Sequence, residues 1–244
     1  MQEELSTPSA LHSATAPQLH RAVWAMFRKD LRAELRTRQA LNALLLFAVC
    51  AVVAISLGVG PLTAARNADL RLIQSALLWI AILFAAFTGL SRSFVHEEES
   101  RTSAALHLAA PPLAVYLGKL LFNLILLLLL DLVAAPLSIG LLRMHISNPG
   151  LFVALLLTGS MGLVAATTLL AAIIAQASVK GALFAVLAFP LLLPLLVVAI
   201  QGTELALSDS AWGQGVAALQ VLLAYSIALV TASLFLFGFV WEDG

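Results

Sequence analysis

Residues 115–142 read VYLGKLLFNLILLLLLDLVAAPLSIGLL, with one aspartate, Asp131, in an otherwise apolar run. How that run is read decides the architecture. Cutting it at Asp131 leaves two pieces of about a dozen residues, whereas a hydrocarbon core about 30 Å thick asks for roughly 20 helical residues. A single helix that carries the aspartate across the bilayer is the simpler reading. Five further charge-free gaps flank it, at 39–65, 72–91, 144–179, 181–203 and 210–241. Each is long enough for one span, and none holds two with a connecting turn. The predicted spans are 40–60, 72–90, 115–142, 151–175, 182–200 and 216–240, an all-α membrane protein of six transmembrane helices.

Composition agrees with that reading. Of 244 residues, 61% are hydrophobic and 11% are charged, and the mean hydropathy is +1.01. Soluble domains carry about 25% charged residues, so this chain lacks the polar material to cover a soluble surface. Thirteen basic residues balance thirteen acidic ones, and no global field points to nucleic acid. The lone Cys50 excludes an intramolecular disulfide framework and a Cys-rich metal site.

Lys and Arg are retained on the cytoplasmic side of a membrane. With the N-terminus inside, Arg21, Arg28, Lys29, Arg32, Arg36, Arg38, Arg92, Arg101, Lys119 and Lys180 lie in cytoplasmic segments. Only Arg66, Arg71 and Arg143 lie outside, so both termini are expected to be cytoplasmic. Residues 1–17 are rich in Ser, Thr, Ala and Pro, contain no apolar run of the signal-peptide kind, and are expected to form a disordered tail. In 18–38, Leu19, Val23, Met26, Phe27, Leu31 and Leu35 recur at helical spacing while arginines occupy other faces. A basic amphipathic helix of this kind, beside a span, is expected to lie in the plane of the headgroups.

Catalytic signatures are missing from the sequence. Gly118-Lys119 is followed by Leu120, with no glycine five residues earlier, so the phosphate-binding pattern fails. The five histidines (His12, His20, His96, His107, His145) are scattered without metal-ligand spacing. The chain is therefore expected to be non-catalytic. The segment 92–114 is the longest internal hydrophilic stretch. Glu97, Glu98 and Glu99 near its start would favour the positive end of a short helix that runs to Leu108 before Pro111-Pro112. On physics alone this is either an acidic turn without a partner or a helix that a motor subunit could grip.

Asp131 should face the bundle interior or a polar cavity. Pairing it with Lys119 or Asn123, 12 and 8 residues away, requires the helix to bend. It is either a polar element of a transport path or a helix-packing hydrogen bond. Pro136, Pro190 and Pro194 interrupt the helical hydrogen-bond ladder, and the last two share a face of the fifth span and should bend it. Gly159, Ser160, Gly162, Ala165, Ala166 and Thr167 in the fourth span permit close helix approach.

In combination these features resemble one family. A basic amphipathic helix and two spans precede an acidic loop that ends in Leu106-His107-Leu108-Ala109-Ala110-Pro111-Pro112. GKLLFN (118–123) then enters the third span, and FPLLLPLL (189–196) lies in the fifth. The pattern, over 19–240, is similar to that of CcmB, the membrane subunit of the haem-exporter ABC complex of cytochrome c maturation. The resemblance implies a non-catalytic, six-span permease of the ABC exporter (ABC-2-like) type, two copies of which pair with two cytoplasmic ATPase subunits. It implies a coupling loop that docks on the ATPase through Glu97, Glu98, Glu99, Arg101, Thr102, Leu106, His107 and Leu108. It also implies a haem-handling membrane protein, a small membrane subunit and a periplasmic haem chaperone as partners. Haem is then the cargo of the complex and ATP is held by the partner, with neither bound directly; axial ligation by His107 or His145 is disfavoured. Relatives often read ExGTLE in the loop, where this chain has Arg101 at the glycine, Ser103 at the leucine and only Thr102 in common. The rival readings are a permease for another amphiphile, lipid or drug, and a membrane scaffold for assembly factors.

Overall fold

The structure, a computed structural model, describes residues 16–59, 68–90, 111–176, 180–209 and 212–242. Among these residues there are seven helices and no strand. They are α1 (Ala16–Thr37), α2 (Gln39–Val59), α3 (Ala68–Leu90), α4 (Pro112–Leu141), α5 (Pro149–Gln176), α6 (Lys180–Leu207) and α7 (Trp212–Glu242). Helices α2 to α7 are each long and apolar enough to cross a membrane. The run through Asp131 is one unbroken helix. Most of the tail expected at the N-terminus, residues 1–15, lies outside the described residues. Ala16 and Pro17, read from sequence as tail, instead form the first turn of α1. Proline is well suited to that position, because the amide it lacks has no intrahelical partner there.

Two arginines in the left-handed region end helices. Arg38 (φ 52°) separates α1 from α2. Across this one-residue joint, Glu34 Oε1 accepts the Leu41 amide at 2.8 Å, so a side chain of α1 caps the start of α2. Arg143 (φ 52°) follows α4. The Met144 amide bonds back to the Ile139 carbonyl at 3.1 Å, the six-to-one bond of a Schellman ending.

Hydrogen bonds between the helix ends give the topology. Ser56 of α2 donates to the Leu141 carbonyl at the end of α4, and Gln74 near the start of α3 donates to the Leu142 carbonyl. The Asn148 amide and the Ser147 hydroxyl reach the Ala206 and Leu207 carbonyls at the end of α6. At the opposite end, Tyr116 at the start of α4 packs on Phe237 near the end of α7, with ring centroids 5.0 Å apart. The six long helices therefore alternate in direction.

The fifth span departs from its expected bounds. The helix contains all of 182–200 and its apolar window runs on to Leu207, because Glu204 is carried inside the helix. Its charge is met by Arg71 of α3, with Nε–Oε1 at 3.5 Å. At the adjacent residue, Thr203 Oγ1 accepts from Trp79 Nε1 at 2.9 Å. A charge paired across helices does not end a span, and the gap rule missed this.

Helix α5 sits at the centre and packs against α3, α4, α6 and α7. Its small residues make that possible. The Trp79 ring lies so close to Gly159 that a Cβ there would overlap it, and Gly162 has the same relation to Leu195 and Ser226. Trp79 is fully buried and held by its hydrogen bond, so it cannot yield. Gly159→Ala is therefore expected to destabilise the detergent-solubilised protein by about 1–3 kcal/mol, the usual cost of overpacking a tight core. Thermal unfolding of G159A, with Trp79→Phe in the same background restoring part of the loss, checks this.

Candidate functional site

The third span, α4, carries the chemistry. Tyr116, Lys119, Asn123, Asp131 and Ser138 fall within one broad face of a helix that turns 100° per residue, and all five are buried. In hydrocarbon such side chains must find partners inside the protein. Ser160 Oγ of α5 donates to Asp131 Oδ2 at 2.6 Å. Two turns toward the start of α4, Asn123 Nδ2 donates to Thr168 Oγ1 of α5 at 2.9 Å. Both intervals, 123 to 131 and 160 to 168, are eight residues, so the two bonds are rungs between antiparallel helices in register.

Of the two readings the sequence left open for Asp131, the structure shows the hydrogen bond between packed helices. A neighbouring helix supplies Ser160, and no bend is required. Lys119 pairs instead with Asp30 of α1, Nζ–Oδ2 3.6 Å, and its side chain is only 1% exposed. The apolar face of α1 is accordingly spent in part on protein. Met26 and Phe27 are buried, and Met26 Cβ would lie 2.6 Å from a Cβ placed on Gly118. A larger residue than glycine at 118 would push α1 off α4. Trp24 and Leu35 stay exposed.

The prolines expected to shape the fifth and third spans all lie on the outward surface. Pro136, Pro190 and Pro194 are exposed, and α4 and α6 continue through them. The bundle closes over the opposite faces, where the backbone hydrogen bonds remain. The proposed loop contacts (Glu97, Glu98, Glu99, Arg101, Thr102, Leu106, His107 and Leu108) lie outside the described residues. His145 is exposed in the turn between α4 and α5, and among the described residues no cluster of His, Cys, Asp or Glu could hold a metal ion.

The sequence signal for this site was the spacing of Lys119, Asn123, Asp131 and Ser138 along one helix. Ser160 stood among the small residues of the fourth span, where packing explained it without reference to a polar partner, and Thr168, next to Thr167 of that group, was missed. Asp30 gave no signal, since the α1 acid nearest a buried lysine cannot be told from Glu34 without the crossing point at Gly118.

The Asp131–Ser160 bond can be weighed directly. A double-mutant cycle with Asp131→Ala and Ser160→Ala, read by unfolding in mixed micelles, is expected to give a coupling of about 1 kcal/mol. That figure lies within the range of about 0.6–1.7 kcal/mol seen for intramembrane hydrogen bonds.

Six alternating spans around a tightly packed central helix, with an internal polar face and an amphipathic helix clamped to one end, define a multi-pass helical membrane protein. The family described as CcmB protein matches residues 21–241. The chain belongs to the CcmB family. A comparison with curated proteins finds no match.

Proposed function

We propose that this chain is the non-catalytic membrane subunit of an ABC complex that serves haem export or haem-chaperone release in cytochrome c biogenesis. The observation that carries this reading is the family match across residues 21–241, on a six-span bundle whose sequence lacks a nucleotide-binding loop. In this reading the subunit sits in a bacterial inner membrane with both termini cytoplasmic, as ten of its thirteen basic residues favour. Two copies pair with two cytoplasmic ATPase subunits. A haem-handling membrane protein and a small membrane subunit complete the complex, and a periplasmic chaperone receives the haem.

Coupling then follows from where α1 is fixed. Residues 92–114 meet the ATPase through Glu97, Glu98, Glu99, Arg101, Thr102, Leu106, His107 and Leu108. The loop leads directly into α4, and within two turns of that entry Gly118 and Lys119 hold α1. A push on the loop reaches both helices at one point. The rungs at Asn123 and Asp131 carry it to the central helix, and Pro136, Pro190 and Pro194 are where the spans yield.

Two experiments test the proposal. Affinity purification of the intact chain in mild detergent, with mass spectrometry and an absorption scan, should recover an ABC ATPase together with a haem-handling membrane protein. An ATPase without haem proteins would redirect the reading to another amphiphile, and recovery of neither would favour a scaffold. Reversing Glu97, Glu98 and Glu99 to lysine should uncouple ATP turnover while the spans stay folded. Normal complex formation and normal turnover in that variant would remove the loop from the mechanism.

A further inference from the structure

The polar face of α4 is not fully satisfied by protein. Asn123 Oδ1, Asp131 Oδ1 and Ser138 Oγ are each buried without a hydrogen-bond partner among the described residues. Their residues are at least nine-tenths buried: Asn123 and Ser138 are fully buried, and Asp131 is 7% exposed. They stand eight and seven residues apart on one face, about 12 and 10 Å of helical rise, and together cover roughly 22 Å of the bilayer's depth. A buried polar atom left without a partner costs on the order of 1–3 kcal/mol, and three in register along one helix would be a heavy penalty.

Chemistry narrows what can meet them. The free groups on Asn123 and Asp131 are oxygens, so an anionic ligand is the wrong partner. A metal cation asks for about six oxygen ligands at one point, whereas these oxygens are a dozen ångströms apart and each stands alone. Asp131 Oδ1 needs a donor if the carboxyl is ionised and an acceptor if that oxygen carries the proton. Water is both donor and acceptor, and it is the usual partner of buried groups that protein leaves unmet.

We propose that the polar face of α4 binds internal water at Asn123 and Asp131, in its seam with α5, and at Ser138 further along the same face, which makes that face a line of hydration sites within the membrane domain. The proposal stands on the orphaned atoms alone and does not depend on the cargo or on the ATPase.

The test is radiolytic hydroxyl-radical labelling of the full chain in lipid nanodiscs. Radicals formed on bound water mark side chains that bulk solvent does not reach. Leu127 lies one turn from Asp131, and Leu163 about one turn from Ser160; both are fully buried, as is Leu44 of α2. Leu127 and Leu163 should be oxidised several-fold more than Leu44. Asp131→Leu should bring Leu163 down to the Leu44 level, and Leu127, one turn from Asn123 as well as from Asp131, should reach that level when Asn123→Leu is added; Asp131→Asn, which keeps a polar group there, should lower neither. Equal labelling of the three leucines in the unmodified chain would overturn the proposal without recourse to any variant. So would labelling of Leu163 that survives in D131L, or of Leu127 that survives in the N123L/D131L variant.

Discussion

A helix that carries a lysine, an asparagine, an aspartate and a serine on one face cannot turn that face to lipid. The rest of the bundle is arranged around this constraint. Helix α5 meets the face with Ser160 and Thr168, and it can come close enough only because its own surface is built from glycine, alanine, serine and threonine. Those small residues in turn admit Trp79 and Leu195 from helices on its other sides. The central position of α5 therefore follows from a demand made by α4. Apolar association alone would not select it, since lipid solvates leucine as well as another helix does.

The same demand extends beyond the spans. Lys119 is too deep to reach water at the start of α4, and an acid from α1 comes to it. An amphipathic helix that could have spread its whole apolar face on headgroups thus gives Met26 and Phe27 to the protein. At the other end of the molecule, Glu204 is tolerated within α6 for the equivalent reason, with Arg71 alongside it. In each case a charge on a long helix is met by a partner from an element distant in sequence.

This pattern explains what could be read from the sequence and what could not. Hydrophobic runs of the right length fixed the six spans, since bilayer thickness acts on each helix separately. The reading of 115–142 as one helix held because two half-length pieces could not satisfy their backbones in lipid. Errors arose where a pair across helices overrode a local rule. The gap rule ended the fifth span before Glu204, which has Arg71. That Asp131 needs a partner is legible from its position in a span, whereas which residue of which helix supplies it, Ser160 of α5, is not. Pro190 and Pro194 share one face of the fifth span, and only the structure shows that this face is the outer surface. Which face of a helix is inward depends on its neighbours, and a single sequence states that only through polar side chains such as those of α4.

The joint between α1 and α2 has a mechanical consequence. One residue, Arg38, separates the two helices, and the Glu34 carboxylate bridges the break by capping α2. Further along, α1 is pinned to the entry of α4 by Gly118 and Lys119. A rod held at two separated points cannot slide or roll without loading both anchors. Any tangential force applied to α1 at the membrane surface is therefore delivered as torque on the first and third spans together, and slack is taken up in neither.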